Sequence, residues 1–286
     1  MTSHDVVAKL RGILGQKRVG HAGTLDPSAT GVLLVGLGTT TRLLRFLQET
    51  TKCYEGSFQL GTTTTTLDAD GEVVETFAMG HVTPAEVAAA AEGLTGEILQ
   101  IPPMVSAIKI GGRRLHELAR EGTTVERPAR PVTVSAFEVT PGSEWDRYEF
   151  VVTCSSGTYV RSLVDDLGRA LGGGAHLTSL RRSAVGAFGI AEALTIGEIT
   201  ARVTASSIAE SGVVLSPAEA LRALERVAVG DEECAAIATG RPLEHDALVV
   251  HGDGPFALVD SRGELVAVYR TGEDGRLVAD VVLAAR

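Results

Sequence analysis

The chain has 286 residues, 44% of them hydrophobic and 22% charged, which is enough for one large domain plus a small one around a real core. No apolar run approaches the ~20 residues that span a bilayer, and the amino terminus lacks the charged and apolar regions of a signal peptide. Three scattered cysteines, Cys53, Cys154 and Cys234, give no disulfide framework, and a net charge of −10 argues against a uniformly basic nucleic-acid binder.

In chain order, residues 6–14 carry helical spacing. The run Arg18-Val19-Gly20-His21-Ala22-Gly23-Thr24-Leu25-Asp26-Pro27-Ser28-Ala29-Thr30-Gly31 sets three glycines and a proline around one carboxylate and one imidazole. Glycine admits backbone angles closed to other residues and proline holds the preceding residue extended, so Asp26 lies in a turn and not in a helix. Residues 32–37 read as a buried strand anchoring that turn, and a helix follows over about 39–48. Residues 52–60 alternate, with Tyr54, Gly56 and Phe58 on one side, and Asp70-Gly71 marks a turn into a strand at Glu72-Val73-Val74.

Thr83-Pro84-Ala85-Glu86 supplies an N-cap, a first-turn proline and an acidic first turn for a helix ending near residue 94. After residues 101–110, Gly111-Gly112 breaks the chain before a short helix over 113–121. Residues 132–139 and 148–154 are β-rich, and 159–171 read as a helix ended by Gly172-Gly173-Gly174. That triple glycine is a cap and loop, because a phosphate cradle needs a lysine and a hydroxyl at set spacing. A linker at 204–212 precedes three short strands at 256–259, 263–269 and 277–283.

Charge is unevenly spread. Residues 191–286 carry −8 and the first 190 only −2, while residues 1–60 and 109–130 are each locally +3. Local basic patches, not the total, govern phosphate contact, although a mixed-charge run is usually a solvated face. The seven histidines lack metal-ligand spacing, so no metal is expected. Turn chemistry alone would leave Asp26 an ordinary turn residue, and a tyrosine in a strand is usually core.

The segment from His21 through Asp26-Pro27 to Gly31-Val32-Leu33, followed by Gly38-Thr39-Thr40-Thr41-Arg42, resembles the catalytic motif of the TruB family of tRNA pseudouridine synthases. Further matches follow in the family's order. Lys52-Cys53-Tyr54-Glu55-Gly56 resembles the active-site tyrosine segment, and Thr66-Leu67-Asp68-Ala69-Asp70-Gly71 lies in the stretch after it. Ile101-Pro102-Pro103-Met104-Val105-Ser106-Ala107-Ile108-Lys109 resembles the start of an RNA-clamping insertion. Gly157-Thr158-Tyr159-Val160-Arg161 resembles the third motif, and Gly174-Ala175-His176-Leu177 with Leu180-Arg181-Arg182 the strand beyond it.

The resemblance implies an α+β fold: a mixed, mainly antiparallel sheet with flanking helices and a central cleft, plus a small C-terminal β-barrel module of PUA type. It implies a catalytic domain at 1–205 with an inserted arm at about 101–131, and the small module at 213–286, where Gly240-Arg241-Pro242-Leu243 fits an early turn. The implied reaction is isomerisation of uridine to pseudouridine in the T-loop of tRNA, at position 55, without cofactor. Asp26 would be the catalyst, acting as nucleophile or as base, with Arg161 as its ion partner. A dry pocket disfavours a charged carboxylate and a paired cation restores it. Tyr54, Tyr159 and Leu180 would form the base pocket and His21 would fill the gap in the RNA stack. Lys109, Arg113, Arg114 and Arg130 would contact RNA from the arm. Extruding the base costs roughly a few kcal/mol of stacking, which aromatic surfaces can offset.

Arg161 could equally decorate its helix, and His21 could be a hydrogen-bonded turn residue. The family usually begins with an apolar strand and a Lys-Pro pair, in place of which this sequence starts Met1-Thr2-Ser3-His4-Asp5. A version extended upstream is expected to be more soluble or more active. The remaining expectations are a cytoplasmic monomer with tRNA as partner, no membrane and no protein partner implied. Two rival readings stand: an RNA-binding or RNA-folding protein with an inactive pocket, and a carboxylate-pair hydrolase, for which nearby segments offer only Glu49 and Glu55.

Overall fold

Thr2 starts the first helix, Ser3–Ile13, by a reciprocal cap: its hydroxyl accepts from the Asp5 amide at 3.1 Å while the Asp5 carboxylate accepts from the Thr2 amide at 2.8 Å. The computed structural model describes residues 1–286 except 107, 116–117, 119–120, 124, 245–247, 284–286 and the side chains of 109, 110 and 114. The chain forms two compact units, one of Met1–Leu25, Leu33–Gln48 and Gly186–Arg286, the other of Asp26–Val32 and Glu49–Val185.

The second unit is built on a sheet whose strands run in the order Ala175–Val185, Lys52–Leu60, Arg147–Cys154, Arg130–Pro141 and Gly96–Gln100, every neighbouring pair antiparallel. Thr30–Gly31 adds a short parallel partner to the first of these at Arg181 and Arg182, which makes the sheet mixed. Alternation works as expected along Lys52–Leu60, where Tyr54 and Phe58 are buried and Glu55 is exposed. Phe58 stacks on Tyr148 and is tilted against Phe150, forming the aromatic centre of the core.

Among the described residues two helices cover the sheet. Pro84–Gly93 has the anticipated Thr83–Glu86 capping box and packs on Arg130–Pro141. Val160–Ala170 buries Leu163, Val164 and Leu167 against Ala175–Val185, and the glycines after it cap its end through the Gly172 and Gly173 amides.

In the first unit, Val19–Ala22 and Leu34–Leu37 form an antiparallel pair. The C-terminal strands form a four-stranded sheet in the order Glu225–Ala228, Phe256–Val259, Leu265–Thr271 and Leu277–Val282, parallel in its first pair and antiparallel after it. Both faces are covered. Phe256, Leu258 and Tyr269 join Ile237 in one cluster, while Ala257 and Val268 join Leu43 and Leu221 in another, as period-two alternation requires. Among the described residues the sheet is open, so the C-terminal module is there a covered sheet and not a closed barrel. Among the described residues no helix is long and apolar enough to cross a membrane.

Several sequence expectations are corrected. The apolar run 32–37 is not one buried strand: Val32 belongs to the Asp26 segment, and only Leu34–Leu37 is strand, with a half-buried pattern. The Asp26 turn is instead anchored through Thr30–Gly31. The helix over 39–48 is a 3-10 turn, Gly38–Leu43, running into Leu44–Gln48. Arg113 and Arg114 do not open a helix. They form a hairpin strand opposite Lys109–Ile110, because Gly111 and Gly112 take positive φ of 59° and 84°, the pair of values a two-residue hairpin turn needs.

Candidate active site

Asp26 sits in a tight turn, where the Ala29 amide donates to its carbonyl at 3.0 Å. The turn leaves through Gly31, whose φ is 109° and where a Cβ would come within 2.2 Å of the Arg182 carbonyl oxygen. Only glycine lets the segment lie this close to the long strand.

Arg161 reaches the same turn from the start of the Val160–Ala170 helix. A cation is badly placed at a helix N-terminus, where the macrodipole is positive. Acceptors compensate. Arg161 Nε donates to Asp26 Oδ2 at 2.8 Å and Nη2 to Asp26 Oδ1 at 3.0 Å, a two-pronged contact, while Nη1 donates to the Thr66 carbonyl at 2.8 Å and Nη2 also to the Val105 carbonyl at 3.0 Å. The Arg161 side chain is 4% exposed and that of Asp26 33%, so the pair is a buried guanidinium presenting a carboxylate to solvent. Gln100, buried, fixes the helix entry by accepting from the Tyr159 amide at 2.8 Å and donating to the Tyr159 carbonyl at 3.1 Å.

A second carboxylate shares this cation. Asp68 Oδ2 lies 3.6 Å from Arg161 Nε, and its other oxygen accepts from the Thr66 hydroxyl and, at 3.1 Å, from the Asp70 amide. Leu67, immediately before it, has a φ of 62°, an uncommon value for a leucine that turns the chain so that Asp68 faces the guanidinium. The sequence alone assigns no role to Asp68 or Gln100. The polar Thr66-Leu67-Asp68-Ala69-Asp70-Gly71 turn was the available signal for Asp68.

A cleft of about 370 Å³ opens beside the pair and is lined by Asp26, Asp68, Leu180 and the exposed Glu55–Arg181 ion pair, among others. Its size suits a nucleotide-sized ligand. Tyr54 and Tyr159 do not line it directly. Tyr54 is buried on the Lys52–Leu60 strand, and burial pushes its phenol up, opposed by Arg182 and reinforced by the Asp26 charge. Tyr159 is half-buried just before the helix, and burial raises its phenol too, opposed chiefly by a hydrogen bond with Ser106. Both tyrosines therefore stay neutral at physiological pH and feel the Asp26 carboxylate. Cys154, with its thiol pushed up to about 11 by burial, is a core residue and no nucleophile.

His21 belongs to the other compact unit, on Val19–Ala22, with its ring edge-on to His4 at 5.6 Å. In the arm, Arg130 is exposed at the start of Arg130–Pro141 opposite Gln100, and Arg113 pairs with Glu121. Lys109 and Arg114 face each other in register, and their side chains lie outside the described residues.

Comparison with known proteins places this geometry. A model of the TruB family pseudouridylate synthase N-terminal domain matches residues 11–160, and one of the tRNA pseudouridylate synthase B C-terminal domain matches residues 161–227. A Mycobacterium ulcerans protein called tRNA pseudouridine synthase B is 43% identical over 287 residues, covering 99% of this chain and 91% of its own. A Thermobifida fusca protein of the same name is 49% identical over 231 residues, covering 78% of this chain and 79% of its own. Among solved structures, a chain from a Cbf5-Nop10-Gar1 complex superposes with a TM-score of 0.75 at 26% identity, over 100% of this chain and 81% of that one. With two consecutive domain models covering most of its length, this chain belongs to the TruB family of pseudouridylate synthases.

Proposed function

We propose that this protein isomerises uridine 55 in the T-loop of tRNA to pseudouridine, with Asp26 as the reacting carboxylate. Relatives called tRNA pseudouridine synthase B supply the substrate class and the reaction, and the Arg161–Asp26 fork carries the assignment of the residue. The isomerisation breaks the bond from ribose C1′ to N1 of the base and forms one from C1′ to C5. C5 loses a proton and N1 gains one, so atoms balance within the substrate and no redox step occurs.

An ionised carboxylate beside the ribose can attack C1′ or take the 2′ proton. Arg161 serves either role by orienting both oxygens while leaving their outward lone pairs to the cleft. Leu180 gives the cleft an apolar wall, Tyr54 and Tyr159 back it with neutral aromatic rings, His21 fills the vacated stack, and Lys109, Arg113, Arg114 and Arg130 hold the phosphate backbone. A monomer acting in the cytoplasm, divided into a catalytic domain at 1–205 and a small module at 213–286, fits this role.

Asp68 supplies the second acid that a hydrolase would need, beside Asp26 in one cleft. It leans on the same guanidinium as Asp26 and is tied down by Thr66 and Asp70, which suits an orienting role better than water activation. One assay separates the readings: the purified protein is incubated with an unmodified tRNA transcript, pseudouridine is mapped by chemical probing and free uracil is measured. Pseudouridine at position 55 supports the proposal. Uracil release would favour the hydrolase, and tRNA binding without either product would favour an inactive RNA-binding protein.

A further inference from the structure

Among the described residues Arg182 is one of the largest almost fully buried side chains, at 1% exposure, and the chemistry above gives it no task. Two elements of the site meet on it. Its Nε donates to the Val32 carbonyl at 2.8 Å and its own carbonyl accepts from the Val32 amide at 2.9 Å, which clamps the exit of the Asp26 turn. It also stands opposite Tyr54 in the antiparallel register, next to a bulge between Arg182 and Ala184, and its charge opposes the upward push that burial gives the Tyr54 phenol.

Arginine only donates, and its single Nε hydrogen goes to Val32, so toward Tyr54 the guanidinium acts through its delocalised charge. One guanidinium thus ties down the backbone of the Asp26 turn from the strand position that pairs with Tyr54. A lysine, with its charge at a single point, cannot reproduce a planar cation that donates from Nε and spreads its charge toward Tyr54.

We propose that Arg182 is a positioning residue for the isomerisation, holding the Asp26 turn and the Tyr54 ring in one fixed relation so that ribose and base meet both at once. This inference rests on the site assignment made above. Its signature is a loss in the chemical step with tRNA binding retained, and a loss that depends on the Tyr54 hydroxyl.

Single-turnover rates, tRNA affinity and thermal unfolding of R182Q, R182K, Y54F and the Y54F/R182Q double variant test it, with D26N run in parallel. R182Q should lower the rate about 30-fold or more with Kd within about threefold of the parent, R182K should fall between, and the two single losses should combine to less than their product in the double variant. A wild-type rate in folded R182Q, a loss confined to Kd, or losses that multiply would overturn the proposal. Where R182Q does not fold, R182K is judged by the same criteria. Turnover by D26N would instead overturn the site assignment itself, whereas an inactive D26N beside a fully active R182Q defeats only the role of Arg182.

Discussion

Arg161 grips Asp26 through both carboxylate oxygens, at 2.8 and 3.0 Å, from a side chain that is 4% exposed. A charge so deeply desolvated is stable only while its acceptors stay in place, so the fork is both a structural and a chemical feature. The fork, more than the charge, should matter to turnover. R161K keeps a cation and loses the two-pronged geometry, and kcat should fall by about 10²–10³ with tRNA affinity nearly unchanged. Rapid-quench kinetics beside filter binding checks this. A rate within a few-fold of the parent would show that charge alone suffices.

Gly31 should be intolerant of any side chain. In G31A the new Cβ meets the Arg182 backbone and φ stays in the left-handed region, so unfolding free energy should drop by about 1–3 kcal/mol or more. G93A is the control, because a Cβ there touches nothing within 4 Å, the residue is exposed and its φ is not positive. That change should be neutral or stabilise by about 0.4–1 kcal/mol. Urea titrations of both variants decide the matter.

The legibility of this chain follows from how local each feature is. Thr83-Pro84-Ala85-Glu86 spelled its capping box outright, and the alternation of 52–60 placed Tyr54 and Phe58 correctly. The same cap at Thr2 and Asp5 is equally local. Gly111-Gly112 reads as a break before a helix, although two adjacent glycines between short strands are also a hairpin signal. Asp68 was harder. Its approach to Arg161 depends on Leu67 at a φ that leucine rarely takes, and no residue type announces that. The Asp26–Arg161 contact spans 135 positions, so the resemblance suggested it and the residues alone left it open.

Asp166 makes stability depend on pH. Burial first and the Asp165 charge second push its carboxyl from 3.8 up to about 6, against the pull of Arg169. A folded-state value above the unfolded one means that the fold binds this proton more tightly, so the stabilisation is complete below about pH 4 and is lost as pH rises through 6. Above that range the ionised group opposes folding. D166N should therefore raise Tm relative to the parent at pH 8, with the gap closing toward pH 4. A gap independent of pH would contradict the sign.

Cys154 should resist alkylation. Its thiol is buried and pushed up to about 11, while Cys53 and Cys234 are half-buried. With iodoacetamide at pH 8, peptide mass spectrometry should show Cys53 and Cys234 labelled before Cys154 in the folded protein, and all three labelled once it is denatured.

The most direct test of the central claim is single-turnover conversion of an unmodified T-stem-loop by the D26N variant, measured beside its tRNA affinity. The substitution removes one acceptor oxygen and the negative charge while preserving shape, so pseudouridine formation should vanish with binding largely intact. Substantial residual conversion by D26N would contradict the assignment of Asp26 as the reacting carboxylate.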